Sequence, residues 1–149
     1  MNQTLGELFA RQNTDTVHHR GRIVKALVRI PVTDGATITV HRRSVGAPRP
    51  QCLYLALNGG ALEVNNTTAP VVSLWSHTSP DTTELFVRGE GATSLEAWNG
   101  WSLGGVENAW IGNAGIVTKS TAEATILRCS DGVGQADFSD LEVEISVES

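Results

Sequence analysis

The segment Leu95-Glu-Ala-Trp-Asn-Gly-Trp-Ser-Leu-Gly-Gly-Val-Glu-Asn-Ala-Trp-Ile-Gly-Asn-Ala-Gly-Ile-Val117 decides how the chain is interpreted. It holds three of the four tryptophans in the 149-residue sequence. Asn99-Gly100 and Gly112-Asn113 both have the composition of two-residue turns between antiparallel strands. The segment therefore predicts two consecutive tight β-hairpins.

The first hairpin determines which way its tryptophans point. A turn at Asn99-Gly100 places Trp98 opposite Trp101 and Glu96 opposite Leu103. Successive strand residues face opposite sides of a sheet, so Leu95 and Ala97 would face the core. Trp98 and Trp101 would then lie side by side on the outer face.

The second hairpin follows from the turn at Gly112-Asn113. This turn pairs Ile111 with Ala114, and it leaves Trp110 opposite Gly115. Trp110 is a third candidate for the aromatic surface.

Upstream of this segment, the chain begins with a helix signal and continues as strands. Thr4 and Glu7 have the spacing of a capping box, which predicts a helix from Leu5 to Gln12. Alternation of apolar and polar residues then predicts a hairpin of 22–32 with 36–43, joined by a three-residue loop. Asn58-Gly59 predicts a second hairpin, of 52–57 with 60–64. Further strands are predicted at 70–75, 83–88, 124–129 and 140–147.

The number of short strands and the turn spacing define the fold class. Together they predict an all-β domain over residues 1–149, with no linker that would divide it. We expect a two-sheet antiparallel β-sandwich, jelly-roll-like, with a short N-terminal helix. A closed β-barrel is the alternative.

Composition narrows the classes of function. The net charge of -5 gives no reason to expect nucleic-acid binding, and no apolar run is long enough to span a membrane. The first residues lack the pattern of a signal peptide, so a cytoplasmic location is expected. Cys52 and Cys129 both lie in strand-like runs, where small buried apolar residues are expected rather than a disulfide.

Four basic residues would share one surface if the hairpin of 22–32 with 36–43 forms. Its register places Lys25, Arg29, His41 and Arg43 on the solvent face. Such a cluster could bind an anion. The alternative interpretation is a solvated face that discourages edge-to-edge aggregation.

Signals for catalysis and metal binding are weak. The chain has no nucleophile elbow, phosphate-binding glycine loop or paired-cysteine motif, so an enzyme is not favoured. His77 and Asp81 share a polar loop, but their spacing requires no catalytic role. Asp131, Asp137 and Asp140 could supply oxygen ligands to calcium, although a turn explains their spacing as well. No metal and no cofactor are predicted.

The aromatic pair gives the best functional hypothesis. Exposed indoles form a flat platform suited to stacking on a sugar or packing against a peptide. The hypothesis is a non-catalytic binding module with the ligand-binding residues Trp98, Trp101, Trp110, Glu96, Asn99 and Asn113. In a second hypothesis the same surface is the subunit interface of a homo-oligomer. Alternatively, Trp110 or the N-terminal helix covers the pair, and its role is structural.

Overall fold

The computed structural model describes residues 3–149, which form one helix and fourteen strands in two antiparallel sheets. The elements are α1 (Leu5–Gln12), β1 (Thr16–His19), β2 (Arg22–Lys25), β3 (Val28–Pro31), β4 (Thr37–Ser44), β5 (Gln51–Asn58), β6 (Ala61–Val64), β7 (Thr67–Ala69), β8 (Val71–Trp75), β9 (Thr82–Arg88), β10 (Ser94–Leu103), β11 (Val106–Ala109), β12 (Gly115–Ser120), β13 (Thr125–Ser130) and β14 (Leu141–Glu148).

The two sheets differ in size, and each is open at both ends. The large sheet has the strand order β1-β2-β12-β13-β14-β4-β9-β6-β7. The small sheet has the order β11-β10-β5-β8, and β3 pairs with β10 beside β11. This confirms the predicted all-β, two-sheet sandwich and not the closed barrel that was its alternative.

The core lies between the sheets and is made of aliphatic side chains from both. Ile38 and Leu85 of the large sheet and Leu53, Leu55 and Leu95 of the small sheet are among its fully or almost fully buried members. Burial of a leucine or isoleucine side chain is worth roughly 1.5–3 kcal/mol relative to exposure. This shared apolar layer is therefore what holds the two sheets face to face.

The N-terminal helix forms where the capping box predicts it, over Leu5–Gln12. The hydroxyl of Thr4 accepts a hydrogen bond from the backbone N–H of Glu7 at 3.2 Å, which satisfies one of the free donors of the first turn. Leu5 is fully buried in a second, smaller apolar cluster with Val17, Val24 and Phe138. The helix thus packs against β1 and β2 of the large sheet and against Phe138.

Two of the predicted hairpins are wrong, because their strands lie in different sheets. Residues 22–32 divide into β2 in the large sheet and β3 in the small sheet, and β4 then returns to the large sheet. Likewise β5 belongs to the small sheet and β6 to the large one. In each case the chain crosses the sandwich, and the apolar residues of both strands still face the same core. Alternation alone therefore does not distinguish a hairpin from a crossing.

The tight hairpins that do form share one backbone property. Arg20-Gly21, Asn65-Asn66 and Gly104-Gly105 each connect two paired strands, and both residues of each turn have positive φ. Positive φ at both positions is what a type I′ turn requires, and its twist matches that of the flanking strands. The hairpin of the decisive segment therefore turns at Gly104-Gly105.

The predicted turn at Asn99-Gly100 is wrong, because β10 runs straight through it. Glycine is needed at position 100 because the Tyr54 ring packs against it: an added Cβ would stand 2.5 Å from Cε2 of Tyr54. Gly112-Asn113 does form a turn, closed by a hydrogen bond from Ala114 N–H to the carbonyl of Ile111. That turn leads from the small sheet to the large one, however, so the second predicted hairpin is also wrong.

Two smaller predictions can be compared with the structure. Both cysteines are free and fully buried, as expected. Within residues 3–149, no helix combines the length and apolar character needed to cross a lipid bilayer.

Candidate functional site

Strand β10 places alternate residues on the two sides of the small sheet. Leu95, Ala97, Asn99 and Trp101 face the large sheet, and all are buried. The intervening residues Glu96, Trp98, Gly100 and Ser102 belong to the outer face. The prediction that Leu95 and Ala97 face the core, with Trp98 and Glu96 on the other side, is confirmed.

Trp101 lies on the opposite side from the one predicted. Because β10 does not turn at Asn99-Gly100, Trp101 keeps the orientation of Leu95 and is only 1% exposed. A Cβ added at Gly132 would stand 2.4 Å from Cζ2 of Trp101, so Gly132 leaves room for the indole. The expectation that Trp101 forms a surface pair with Trp98 is therefore wrong.

Two of the predicted polar ligand-binding residues hold the fold together. The Asn99 side chain is buried and donates through Nδ2 to the carbonyl of Ser130 at 2.9 Å. Asn113 accepts from the backbone N–H of Leu5 at 3.2 Å and donates to the carbonyl of Gly134 at 2.7 Å. Its amide thus connects the start of α1 to the loop after β13. Neither amide is oriented toward the outer face of the small sheet.

Five rings form a continuous aromatic row across the outer face of the small sheet. In spatial order they belong to Trp110, Trp98, Tyr54, Trp75 and His77, which come from or follow adjacent strands. The centroid of Trp98 lies 5.3 Å from that of Trp110 and 5.5 Å from that of Tyr54, with interplanar angles of 26° and 15°. Tyr54 and Trp75 meet edge to face at 6.3 Å. All of these separations fall within the favourable range for aromatic pairs.

Trp98 is the second ring of the row and is covered by its neighbours. Tyr54 comes from the strand on one side of β10, and Trp110 follows the strand on the other side. Trp98 is therefore sandwiched between two nearly parallel rings. Trp110 is itself fixed by a hydrogen bond from its Nε1 to the carbonyl of Ala26 at 2.9 Å. This geometry corresponds to the alternative in which Trp110 covers Trp98.

Two rings of the row keep an open surface, Trp110 and Trp75. At one end, Trp110 is 49% exposed and borders a shallow groove of about 530 Å³, which is also lined by Phe9, Ala10 and Leu27. Toward the other end, next to His77, Trp75 is half-buried and borders a recess of about 380 Å³. Neither Tyr54 nor His77 lies parallel to the Trp75 ring, so neither covers it by stacking.

The recess at Trp75 combines an indole with several polar groups. Its lining residues are Trp75, His77, Thr78, Ser102 and Glu107, and we call it the Trp75 recess. Tyr54 donates from its hydroxyl to Oε1 of Glu107 at 2.9 Å, which orients the carboxylate. Partial burial, together with this hydrogen bond, raises the pKa of Tyr54, so its hydroxyl stays protonated as a donor.

The loop after β8 is held in place by its own backbone. The carbonyl of Trp75 accepts from the N–H of Ser79 at 2.9 Å and from its hydroxyl at 2.7 Å. Ser76 N–H donates to the carbonyl of Gln51 at 2.8 Å. These bonds fix the chain on both sides of His77, and thereby one wall of the Trp75 recess.

Cys52 forms an apolar floor beneath this part of the row. It belongs to the outward side of β5, yet it is fully buried, between Trp75 and Gly100 in the strand register. Burial raises the pKa of the Cys52 thiol to about 12, so the thiol stays neutral at physiological pH. The aromatic row is thus a thin second layer of packing on the outer face.

The four basic residues predicted to form one anion-binding surface are separated. Lys25 lies on β2, Arg29 on β3, and His41 and Arg43 on β4, so the hairpin that would bring them together is absent. Arg29 donates to Asp15 at 2.7 Å and lies 3.4 Å from Glu96. Arg43 pairs with Glu142 at 3.2 Å, and Nδ1 of His41 lies 2.9 Å from the hydroxyl of Thr82. Acidic or hydroxyl partners therefore already occupy three of the four.

The three aspartates considered as calcium ligands are used in local structure. Asp131 is fully buried and accepts from Arg49 and Gln51. Asp137 accepts from Ser139 N–H at 3.2 Å, and Asp140 accepts from Asp131 N–H at 2.8 Å. Among residues 3–149, no cluster of three histidine, cysteine, aspartate or glutamate side chains is arranged to hold a metal ion. Asp81 pairs with Arg42 at 3.1 Å.

Sequence reasoning missed most of the Trp75 recess. The sequence pattern does predict that Tyr54 faces outward, because it lies between Leu53 and Leu55, which face the core. No local signal brings Trp75 near Glu107, because that proximity requires the strand order of the small sheet. Compared with protein-family models and with curated proteins, the chain matches none of either.

Proposed function

We propose that this protein is a non-catalytic binding module that takes a neutral carbohydrate in the Trp75 recess. The observation that carries the proposal is the presence of an indole, an oriented carboxylate, an imidazole and two hydroxyls in one recess of about 380 Å³. The recess is shallow, and its lining combines an apolar wall with a few polar groups, as small-molecule sites do.

The chemistry of the lining matches that of a sugar. The apolar C–H face of a pyranose packs on an aromatic ring, and its hydroxyls need donors and acceptors around the rim. Trp75 supplies the ring, and Glu107 supplies strong acceptor oxygens. His77, Thr78 and Ser102 supply groups that can both donate and accept.

The charge of the lining supports a neutral ligand. Glu107 is the one charged side chain among the residues described as lining the recess, and no described cation forms an ion pair with it. An anionic sugar would be repelled by this carboxylate, with no guanidinium or ammonium in the lining to compensate. A neutral saccharide meets no such penalty.

A single carboxylate also supports binding rather than hydrolysis. Most glycosidases use two carboxyl groups on either side of the scissile bond. The described lining of the Trp75 recess has only Glu107. Tyr54 holds it through a hydrogen bond, in a manner suited to a fixed acceptor.

The test is a titration with a panel of neutral oligosaccharides built from glucose, N-acetylglucosamine, mannose and xylose, followed by tryptophan fluorescence and calorimetry. We expect one class to bind, and we expect Trp75→Ala and Glu107→Gln each to weaken that binding at least about tenfold. Ile23→Ala removes an exposed apolar side chain from the large sheet and serves as the matched control. If no neutral saccharide binds, or if the control weakens binding equally, the proposal fails.

A second candidate function is self-association through the β10–β11 hairpin. Leu103 and Val106 flank its turn and are 53% and 62% exposed, and Trp110 and Ile111 follow with similar exposure. Several large apolar side chains exposed together are typical of interaction surfaces. Light scattering of wild type and of Leu103→Ser/Val106→Ser tests this. A dimer that the double variant dissociates would support an interface, and a wild-type monomer at high concentration would exclude it.

A further inference from the structure

A groove on another side of the sandwich is bordered by two unpaired strand edges. It measures about 670 Å³ and is distinct from the Trp75 recess, apart from Thr78, which lines both. One wall contains three consecutive residues of β8, 72–74, and the other contains three consecutive residues of β9, 82–84. We call it the edge groove. The inference drawn from the edge groove does not depend on carbohydrate binding in the Trp75 recess.

Consecutive lining residues show that the groove runs along strand edges. Neighbouring residues of a strand point to opposite faces, so only the edge is accessible to all three members of such a run. β8 pairs only with β5, which leaves its other edge free within residues 3–149. Val72 and Leu74 point inward and Ser73 outward, so the groove reaches the β8 backbone between them.

The β9 edge is free for a different reason. β6 pairs only with residues 86–88 of β9. The pairing stops there because the chain reverses at Asn65-Asn66, directly after β6. Residues 82–84 are therefore paired with β4 on one side, and no described strand pairs with them on the other. The groove thus has a free backbone edge in each sheet.

Such edges are normally protected, and β8 lacks most of the usual devices. Natural edge strands carry lysine, bulges or proline, or they are covered, because free backbone groups recruit other strands. β8 reads Val71-Val-Ser-Leu-Trp75, with no charged residue and no register shift in its pairing with β5. Pro70 precedes the strand rather than interrupting it.

The charges around the groove indicate the kind of segment that fits. Its described lining has the carboxylates of Glu63 and Glu84 and no lysine, arginine or histidine. Glu63 is partly neutralised by Arg88, 3.3 Å away, whereas Glu84 is exposed and forms no ion pair among residues 3–149. We propose that the edge groove binds an extended, basic peptide segment of a partner protein by β-strand addition to β8. The main chain would pair with β8, and basic side chains would face Glu84.

The probes are fluorescein-labelled hexapeptides in fluorescence anisotropy at physiological salt. The first alternates lysine and valine, the second alternates glutamate and valine, and the third is the lysine peptide N-methylated at every residue. We expect the lysine peptide to bind, the glutamate peptide not to bind, and N-methylation to weaken binding about tenfold or more. N-methylation removes backbone donors but leaves the side chains in place.

Two variants with the same charge change locate the site. Glu84→Lys should weaken binding of the lysine peptide about tenfold, whereas Glu123→Lys, in the exposed turn between β12 and β13, should leave it unchanged. Both positions are exposed, so neither change disturbs the core. Equal weakening by both variants would show diffuse attraction to an acidic protein and would overturn the proposal.

Two further results would also overturn it. One is binding of the N-methylated peptide as tight as that of its parent, since strand addition requires the backbone donors. The other is an absence of lysine-peptide binding, with or without self-association; self-association that Glu84→Lys abolishes would also identify what occupies the edge. In that case the edge would be occupied by a second copy of this chain and not by a basic partner segment.

Discussion

The carboxylate of Asp131 lies fully inside the fold and is paired with the guanidinium of Arg49, which reaches it from the segment before β5. The same carboxylate accepts from Gln51 Nε2 at 3.0 Å and from Val133 N–H at 3.0 Å. A buried charge persists only when it is paired and hydrogen-bonded. These bonds fasten the loop after β13 to the start of β5 and so connect the two sheets at one end.

Asp131→Asn should lower the free energy of unfolding by about 2–4 kcal/mol. The amide keeps the shape of the side chain but loses the charge, which leaves the partly buried guanidinium of Arg49 without its counterion. Urea denaturation followed by circular dichroism measures the effect. Asp137→Asn is the control, because Asp137 is exposed and accepts only from Ser139 N–H among its described side-chain bonds. A loss for Asp131→Asn no larger than that of the control would contradict the argument.

Asp140→Asn should behave in the opposite way, although Asp140 lies close to Asp131. Burial raises the pKa of Asp140 above its ordinary value of 3.8. Its charged form is thus penalised in the native state, and the penalty is relieved as the pH falls through the raised pKa. An asparagine still accepts from Asp131 N–H without carrying the charge. The variant should be at least as stable as wild type at neutral pH, with the difference shrinking toward pH 3.8. Thermal melts across this range test the sign.

Arg29→Ala should raise the pKa of Asp15. The hydrogen bond from Arg29 holds that pKa below its ordinary value of 3.8 in the native protein. Stability from this pair is fully present above pH 3.8 and is lost as the pH falls through the lowered native pKa. Two-dimensional NMR titration of the Asp15 carboxyl measures the shift directly. In Arg29→Ala the titration midpoint should move up toward 3.8, and an unchanged midpoint would show that Arg29 does not control this carboxyl.

Gly100→Ala should disturb the aromatic row although none of the aromatic residues is replaced. The added Cβ would stand 2.5 Å from Cε2 of Tyr54 and 2.9 Å from the carbonyl oxygen of Asn108, so the ring must move. Overpacking of this kind costs typically 1–3 kcal/mol. Gly91→Ala is the matched control, because its added Cβ meets nothing closer than 3.4 Å. The near-ultraviolet circular dichroism of the aromatic rings should change in the first variant only.

Side-chain parity was predictable from the sequence, whereas strand pairing was not. The positions of Leu95, Ala97 and Trp98 follow from alternation alone, because any partner strand leaves the two faces of β10 unchanged. The error begins at Asn99-Gly100, a dipeptide that favours a turn but does not force one. Gly100 is needed there for the ring of Tyr54, a residue on another strand, and this is invisible in the local pattern.

The candidate site was harder to predict for the same reason. Trp75 ends β8 and Glu107 lies on β11, and only the order of strands in the small sheet brings them to one recess. The crossings from β3 to β4 and from β5 to β6 use loops that could equally have closed hairpins. Whether such a loop closes a hairpin or crosses to the other sheet depends on the burial of apolar faces against the opposite sheet. That burial involves residues far apart in the sequence, so the local pattern does not reveal it.

Replacement of Trp110 separates stacking from backbone strain at the exposed end of the aromatic row. Trp110 covers Trp98 and has a φ of +59°, a conformation that costs a residue with a side chain roughly 1–2 kcal/mol relative to glycine. Trp110→Ala loses the ring pair and keeps the strain, so it should be destabilised by about 1–2 kcal/mol. Trp110→Gly loses the same pair but relieves the strain, so it should be the more stable of the two variants. In both, acrylamide should quench the remaining tryptophan fluorescence more strongly, because one face of Trp98 is uncovered. Unchanged quenching would mean that Trp110 does not shield Trp98 in solution.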